Sequence, residues 1–211
     1  MTFCVQHAWR VVASGLVGLL LSACVLINPA LLPHEKPKGY MLSAQAKMLP
    51  VPVVHQKQAS LCGLVAMEMV AQYYHTPLKA TDIAHLTLAT QTEHGLSGAE
   101  LEAAFRNAGF FAVIYPGRLD QSTAGLYTQV DAGRPVIVMI RNPKSAYAHY
   151  LVVSGYDPVK HLVIFVDPTN GVLASPVASF EQSWDSMGRF SLLAVPRGPR
   201  TGAMASSGES S

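Results

Sequence analysis

Charge is scarce in this chain of 211 residues, where Asp, Glu, Lys and Arg together make up only 13%. Fifteen Lys and Arg against 13 Asp and Glu leave a net charge of +2, and the basic residues form no run. Binding along a phosphate backbone draws on clustered positive charge, so nucleic acid is not expected as a partner. Disorder is excluded from the other side. Half of the residues are hydrophobic and the mean hydropathy is +0.26, whereas disordered chains are poor in apolar residues and rich in charge. Cysteine is also sparse. Cys4, Cys24 and Cys62 are too few for a disulfide framework. Long apolar runs are missing as well: the uncharged stretch Val11 to Leu21 has 11 residues, and a membrane-spanning helix needs about 20. What is left is the material for one ordinary domain.

Arg10, the apolar core 11–21 and the small residues after it read as a secretory signal. Leu21-Ser22-Ala23-Cys24 resembles the lipobox of bacterial lipoproteins, in which the cysteine thiol is acylated and the signal is cut in front of it. The resemblance implies residues 1–23 as signal peptide, Cys24 as the lipidated residue, and a periplasmic, lipid-anchored protein. Val25 in place of an aspartate points to the outer membrane. Two or three acyl chains hold a protein on a membrane durably. Cys4 then leaves with the signal and Cys24 carries lipid. Cys62 remains as the single free thiol of the mature chain, in a compartment where thiols normally pair.

Residues 24–50 are rich in proline and small residues (Pro29, Pro33, Pro37, Pro50) and read as a tether. A globular domain is expected over 51–196, and the tail 197–211 is expected to be disordered. Within the domain a buried helix is predicted over Gly63–Tyr74. A short helix capped by Thr81 begins at Asp82, and a third runs from a capping box at Ser97 and Glu100 through Asn107, stopped by Gly109. A strand over Phe110–Tyr115 and a helix over Ser122–Ala132 follow. Then come strands over Pro135–Arg141, His149–Tyr156, Leu162–Asp167 and Arg189–Val195. Helices first and strands afterwards give an α+β class with a mainly antiparallel sheet.

Cys62 is predicted to start the first helix. Unpaired backbone N–H groups and the positive end of the dipole both favour thiolate there. Gln56, six residues upstream on an extended segment, could return an amide towards the thiol. Such a donor together with the Cys62 N–H is what an oxyanion hole requires. A thiolate nucleophile also needs an imidazole. His7 lies in the signal and His34 in the tether. His55 points aside on the segment before Cys62, His75 ends the Cys62 helix, and His85 and His94 have no fixed acid nearby. His149 opens an apolar strand. The next strand ends in Asp167-Pro168-Thr169-Asn170-Gly171, and a hairpin turn at Asp157–Lys160 brings Asp167 beside His149 at one end of the sheet. A carboxylate there can fix the tautomer and orientation of the imidazole. His75, His85 and His94 lack a metal-ligand spacing, so neither a zinc site nor a cofactor is expected. The stripe Met67/Met69/Tyr73/Tyr74 and Trp184 read as packing.

Gln-x5-Cys-Gly, a helix ending Tyr-Tyr, His-Tyr-Leu-Val-Val and Asp-Pro-x-x-Gly together resemble the peptidase C39 family. These are papain-like cysteine peptidases that process double-glycine leader peptides, usually as domains of exporters. The resemblance spans about Val51 to Val195. It implies a papain-like fold, Cys62 as nucleophile, His149 as general base and acid, Asp167 as orienting group and Gln56 as oxyanion donor. Gln56 is preferred over Gln58 on the family's spacing. Leu61 stands where the family usually has an aspartate, and no transporter is present in this chain. The implied substrate is an extended, Gly-containing segment of an exported polypeptide, with a secretion-system component as a further partner. The alternative is a C39-like module that captures such segments without cutting them.

Overall fold

The computed structural model describes residues 37–90, 95–141 and 147–198. The signal, Cys24, His34, His94 and most of the expected tail lie outside them. Strand β1 is Lys47–Met48. A single 3-10 turn, Ala59–Leu61, leads into helix α1, Cys62–Tyr73, followed by α2 (Ala80–Ala89), α3 (Gly98–Asn107), β2 (Phe110–Pro116), α4 (Leu126–Asp131), β3 (Val136–Arg141), β4 (Ala148–Asp157), β5 (Leu162–Asp167), β6 (Gly171–Pro176), α5 (Val177–Asp185) and β7 (Phe190–Pro196). The strands form one sheet in the order β2-β7-β3-β4-β5-β6, and every ladder between them is antiparallel. The α+β class with a mainly antiparallel sheet is therefore the observed one.

Period-two alternation gives the sheet two apolar faces. Ile137, Val152, Ile164 and Val166 pack with α1 and α3, where Leu64, Met67, Met69, Leu101 and Phe105 are buried. Val136, Val138, Leu151, Val153 and Val163 pack with Leu126 and Val130 of α4 and Phe180 and Trp184 of α5. The stripe on α1 is core, as expected for Met67 and Met69, and Trp184 is fully buried with its Nε1–H donating to the Phe190 carbonyl at 2.9 Å.

Several elements differ from expectation. Helix α2 begins at Ala80 behind an extended Lys79, so Thr81 lies inside it and does not cap it; no side chain caps this helix. The segment from Ser122 is a turn closed by the Asp120 carboxylate, and the helix starts only at Leu126. Both β6 and α5 follow Asp167–Gly171 where no element was expected. Val177, Phe180 and Trp184 form the apolar stripe of α5, with Phe180 and Trp184 buried and Val177 partly so. The capping box of α3 is present: Glu100 N–H donates to Ser97 Oγ, and Ser97 N–H donates to Glu100 Oε2. Gly109 ends this helix with φ 90.

Within the stretch read as a tether, residues 37–50 run along the domain as a strap. Lys38 bridges to Leu173 of β6. Ser43 donates to Asp157 through both its backbone N–H and its hydroxyl, and β1 pairs with Tyr156 and Gly155 of β4. Leu49 N–H then donates to Ser154 O at 2.7 Å. A β-bulge between Val153 and Gly155 shifts the β4–β5 register here. A Cβ on Gly155 would lie 2.3 Å from the Lys47 carbonyl oxygen, so only glycine lets the strap approach this closely.

Candidate active site

Helix α1 presents Cys62 at its first residue, buried and unpaired in any disulfide. The preceding 3-10 turn aims the sulfur at the end of the sheet where β4 begins and β5 ends. There His149 Nε2 lies 3.2 Å from Asp167 Oδ1. The His149 ring is also hydrogen-bonded to Cys62. With Nε2 engaged by the carboxylate, the nitrogen left for the sulfur is Nδ1. Asp167 is itself held: its Oδ1 accepts from Thr169 N at 2.6 Å and Asn170 N at 3.2 Å, within the turn Asp-Pro-Thr-Asn-Gly. The Asp167 side chain is 10% exposed, which shields its bond to the imidazole from water.

The electrostatics follow from these contacts. Burial opposes ionisation of Cys62, but the His149 hydrogen bond and the backbone N–H groups of Tyr150 and Gly63 outweigh it and bring the thiol below its ordinary value. Burial likewise opposes the imidazolium of His149, yet its bonds to Asp167 and Cys62 raise it to about 9. Asp167 is held below the usual carboxylate range. Burial would raise it, but the His149 bond and the Thr169 and Asn170 amides prevail. The contacts therefore shift the three groups towards thiolate, imidazolium and carboxylate in a row. Such a row can attack a carbonyl carbon and return a proton to the departing group.

The Tyr150 amide carried no signal in the linear sequence. The β4–β5 ladder starts only at Val152 opposite Val166, so the first residues of β4 run past the end of β5. The amide of Tyr150 in that overhang is the one that reaches the sulfur. Ring atoms of the same tyrosine lie 3.1 Å from where a Cβ of Gly63 would stand, so any side chain at the residue after Cys62 would press on that ring.

Gln56 reaches the same end of the sheet: its backbone N–H donates to Pro168 O at 2.9 Å, one residue beyond Asp167. Its side-chain oxygen is buried and has no hydrogen-bond partner among the described residues. Gln58 is exposed, as is His55. His75 follows the far end of α1 with φ 52. His161, a further histidine, sits in the β4–β5 turn at the opposite end of the sheet with φ 50. Leu61 packs against the core edge. Among the described residues no group of three or more His, Cys, Asp or Glu is placed to hold a metal ion, and no helix is long and apolar enough to cross a membrane.

Comparison with solved structures returns the same architecture. A double glycine motif protease from an AMS/PCAT transporter, solved in complex with a leader peptide, matches with a TM-score of 0.55 at 21% identity, over 72% of this chain and 95% of that one. The peptidase domain of Streptococcus ComA, a bifunctional ABC transporter involved in quorum sensing, matches with a TM-score of 0.54 at 20% identity, over 70% and 99%. A structure described as a C39-like peptidase from Bacillus anthracis matches with a TM-score of 0.57 at 20% identity, over 73% and 99%. At these identities the likeness establishes the fold. No curated protein matches the chain. The family model described as Peptidase_C39 like family covers residues 48–192, well over half of the chain, and the protein belongs to that family.

Proposed function

We propose that the protein is a cysteine peptidase that cuts exported polypeptides. The observation that carries this reading is the hydrogen-bonded row Cys62–His149–Asp167, with both cysteine and histidine shifted towards their charged forms. The Cys62 thiolate adds to the scissile carbonyl carbon. The resulting oxyanion is met by the Cys62 N–H and the Gln56 side-chain amide. His149 gives its proton to the departing amine, leaving a thioester. It then takes a proton from water, whose oxygen attacks the thioester and releases the acid product and the thiolate. Asp167 keeps the ring in register throughout. Family membership supports the peptidase activity. The solved relative that holds a leader peptide supports an extended substrate, with cleavage after Gly-Gly-like segments. The lipobox ending at Cys24 supports a lipid-anchored position on the periplasmic side of the outer membrane.

Two experiments test the reading. Mass spectrometry of new protein termini should show products in cells carrying the wild type and none with Cys62→Ala, which should also retain uncut substrate. Identical termini in both strains, with a phenotype only on deletion of the whole protein, would leave the non-cutting capture module as the function. Labelled palmitate should enter the wild type and not Cys24→Ser; equal labelling of both refutes the anchor.

A further inference from the structure

The turn that carries Asp167 is held from two sides by chain that precedes Cys62. On one side the Gln56 backbone N–H donates to the Pro168 carbonyl at 2.9 Å. On the other, the strap meets β6, which stands at the edge of the sheet. Lys38 makes two hydrogen bonds there. Its Nζ donates to the Asn170 carbonyl at 3.0 Å, and its backbone N–H donates to the Val172 carbonyl at 3.3 Å. These carbonyls flank Gly171, which pairs with Asp167 across the β5–β6 ladder and turns the chain with φ 78. The strap's bonds from Ser43 to Asp157 and from Lys47 to Asp131 lie towards the opposite end of β4.

We propose that Lys38 is a positioning residue for Asp167: through it the strap clips the turn and keeps the carboxylate within reach of His149. The inference rests on the peptidase reading above. The path from the ammonium to the imidazole is short. Lys38 holds the carbonyl of Asn170, and the N–H of the same Asn170 donates to Asp167 Oδ1 at 3.2 Å. That oxygen in turn accepts from His149 Nε2, also at 3.2 Å, the long end of the range for N–H donors. A bond already so long has little displacement to spare. Asp167 is moreover the last residue of β5, where the ladder to β4 has stopped at Val166, so its backbone is fixed by the turn and by β6 alone. A clip on Asn170 and Val172 acts where that support is thinnest.

The test is carbon-13 NMR of the histidine rings in the full chain, with Lys38→Met removing the ammonium and keeping the stem. The charged groups that act on His149 are Asp167 and Cys62. Two effects of the substitution have opposite signs. Lost positioning weakens the Asp167 bond and lets the imidazolium release its proton at lower pH, whereas mere loss of a nearby positive charge would hold that proton longer. The proposal expects His149 to titrate about 0.2–0.7 pH unit lower in Lys38→Met, the size of effect an exposed charged contact carries. Lys38→Arg, which keeps a charged donor, should restore the native titration. Lys47→Met, which frees the strap from Asp131, should leave it unchanged. An unchanged or raised titration in Lys38→Met overturns the proposal and leaves the row Cys62–His149–Asp167 standing. Equal lowering in Lys47→Met, or no recovery in Lys38→Arg, overturns it in favour of a general loosening of the strap. A wild-type ring that titrates as a free imidazole overturns the row, and with it both the peptidase reading and the proposal.

Discussion

Replacing Asp167 by asparagine isolates the charge from the geometry of the site. The asparagine carbonyl oxygen can still accept from His149 Nε2–H and from the Thr169 and Asn170 amides, so the ring stays in place while the negative charge is lost. In the native site the imidazole is raised from 6.5 to about 9 against the opposing effect of burial, a preference for imidazolium worth about 3 kcal/mol. A hydrogen bond to a charged partner contributes about 1.5–3 kcal/mol, or about one to two pH units. The Asp167→Asn imidazolium should therefore release its proton about one to two pH units lower. With its cation weakened, the Cys62 thiolate should form at higher pH. The ion pair exists only above the titration of the thiol and below that of the imidazolium, so its pH window narrows from both sides. Stability follows the same sign. The His149 contribution is complete below pH 6.5 and is lost as pH climbs through about 9, and the variant should lose it earlier. The assay pairs carbon-13 NMR of the histidine rings, assigned with His149→Gln, with rates of iodoacetamide alkylation of Cys62 across pH. An unchanged His149 titration in Asp167→Asn, or a wild-type ring that titrates as a free imidazole, would refute the reasoning.

Gln56→Ala should lower kcat by about 10²–10³ with KM nearly unchanged, since one oxyanion donor acts only in the transition state; an equal rise in KM would reassign Gln56 to substrate binding. Gly155→Ala should force the strap off β4 at a cost of about 1–3 kcal/mol, seen as a melting temperature lower by about 3–10 °C; an unchanged melt would show that β1 is dispensable. Trp184→Phe leaves the Phe190 carbonyl without its donor and a partial void, and should lower the unfolding free energy by about 2–4 kcal/mol in urea titration with an unchanged slope.

The site was legible because each of its members obeys a local rule. Cys62 opens a run of helical periodicity. His149 opens an apolar strand, and Asp167 closes the next at a turn rich in Pro, Asn and Gly, with a hairpin joining the two. Their order along the chain fixes their meeting point once antiparallel pairing is assumed. What stayed hidden depends on register or on distant contacts. The strap carries four prolines' worth of loop composition over 24–50, yet residues 37–50 find partners more than 100 residues away, which no window of sequence displays. The reach of the Tyr150 amide depends on how far β4 outruns β5. Thr81 misled because a threonine before an aspartate reads as a cap, whereas Ala80 extends the helix by one residue in front of it. In α5 the apolar spacing was present, but it was read only as the packing of Trp184.

The position of β7 has a consequence for how this protein comes into being. The last strand of the chain lies between β2 and β3, so β2 reaches the rest of the sheet only through it. A chain delivered with its N-terminus first, whether from a ribosome or through a membrane pore, has Cys62 long before it has a sheet. Until about residue 196 emerges, β2 with the helix packed beside it remains unjoined to the strands that carry His149 and Asp167. Delivery of the final strand thus acts as a molecular completion signal: a chain truncated between β6 and β7 bears Cys62, His149 and Asp167 and still lacks the strand that joins β2 to β3.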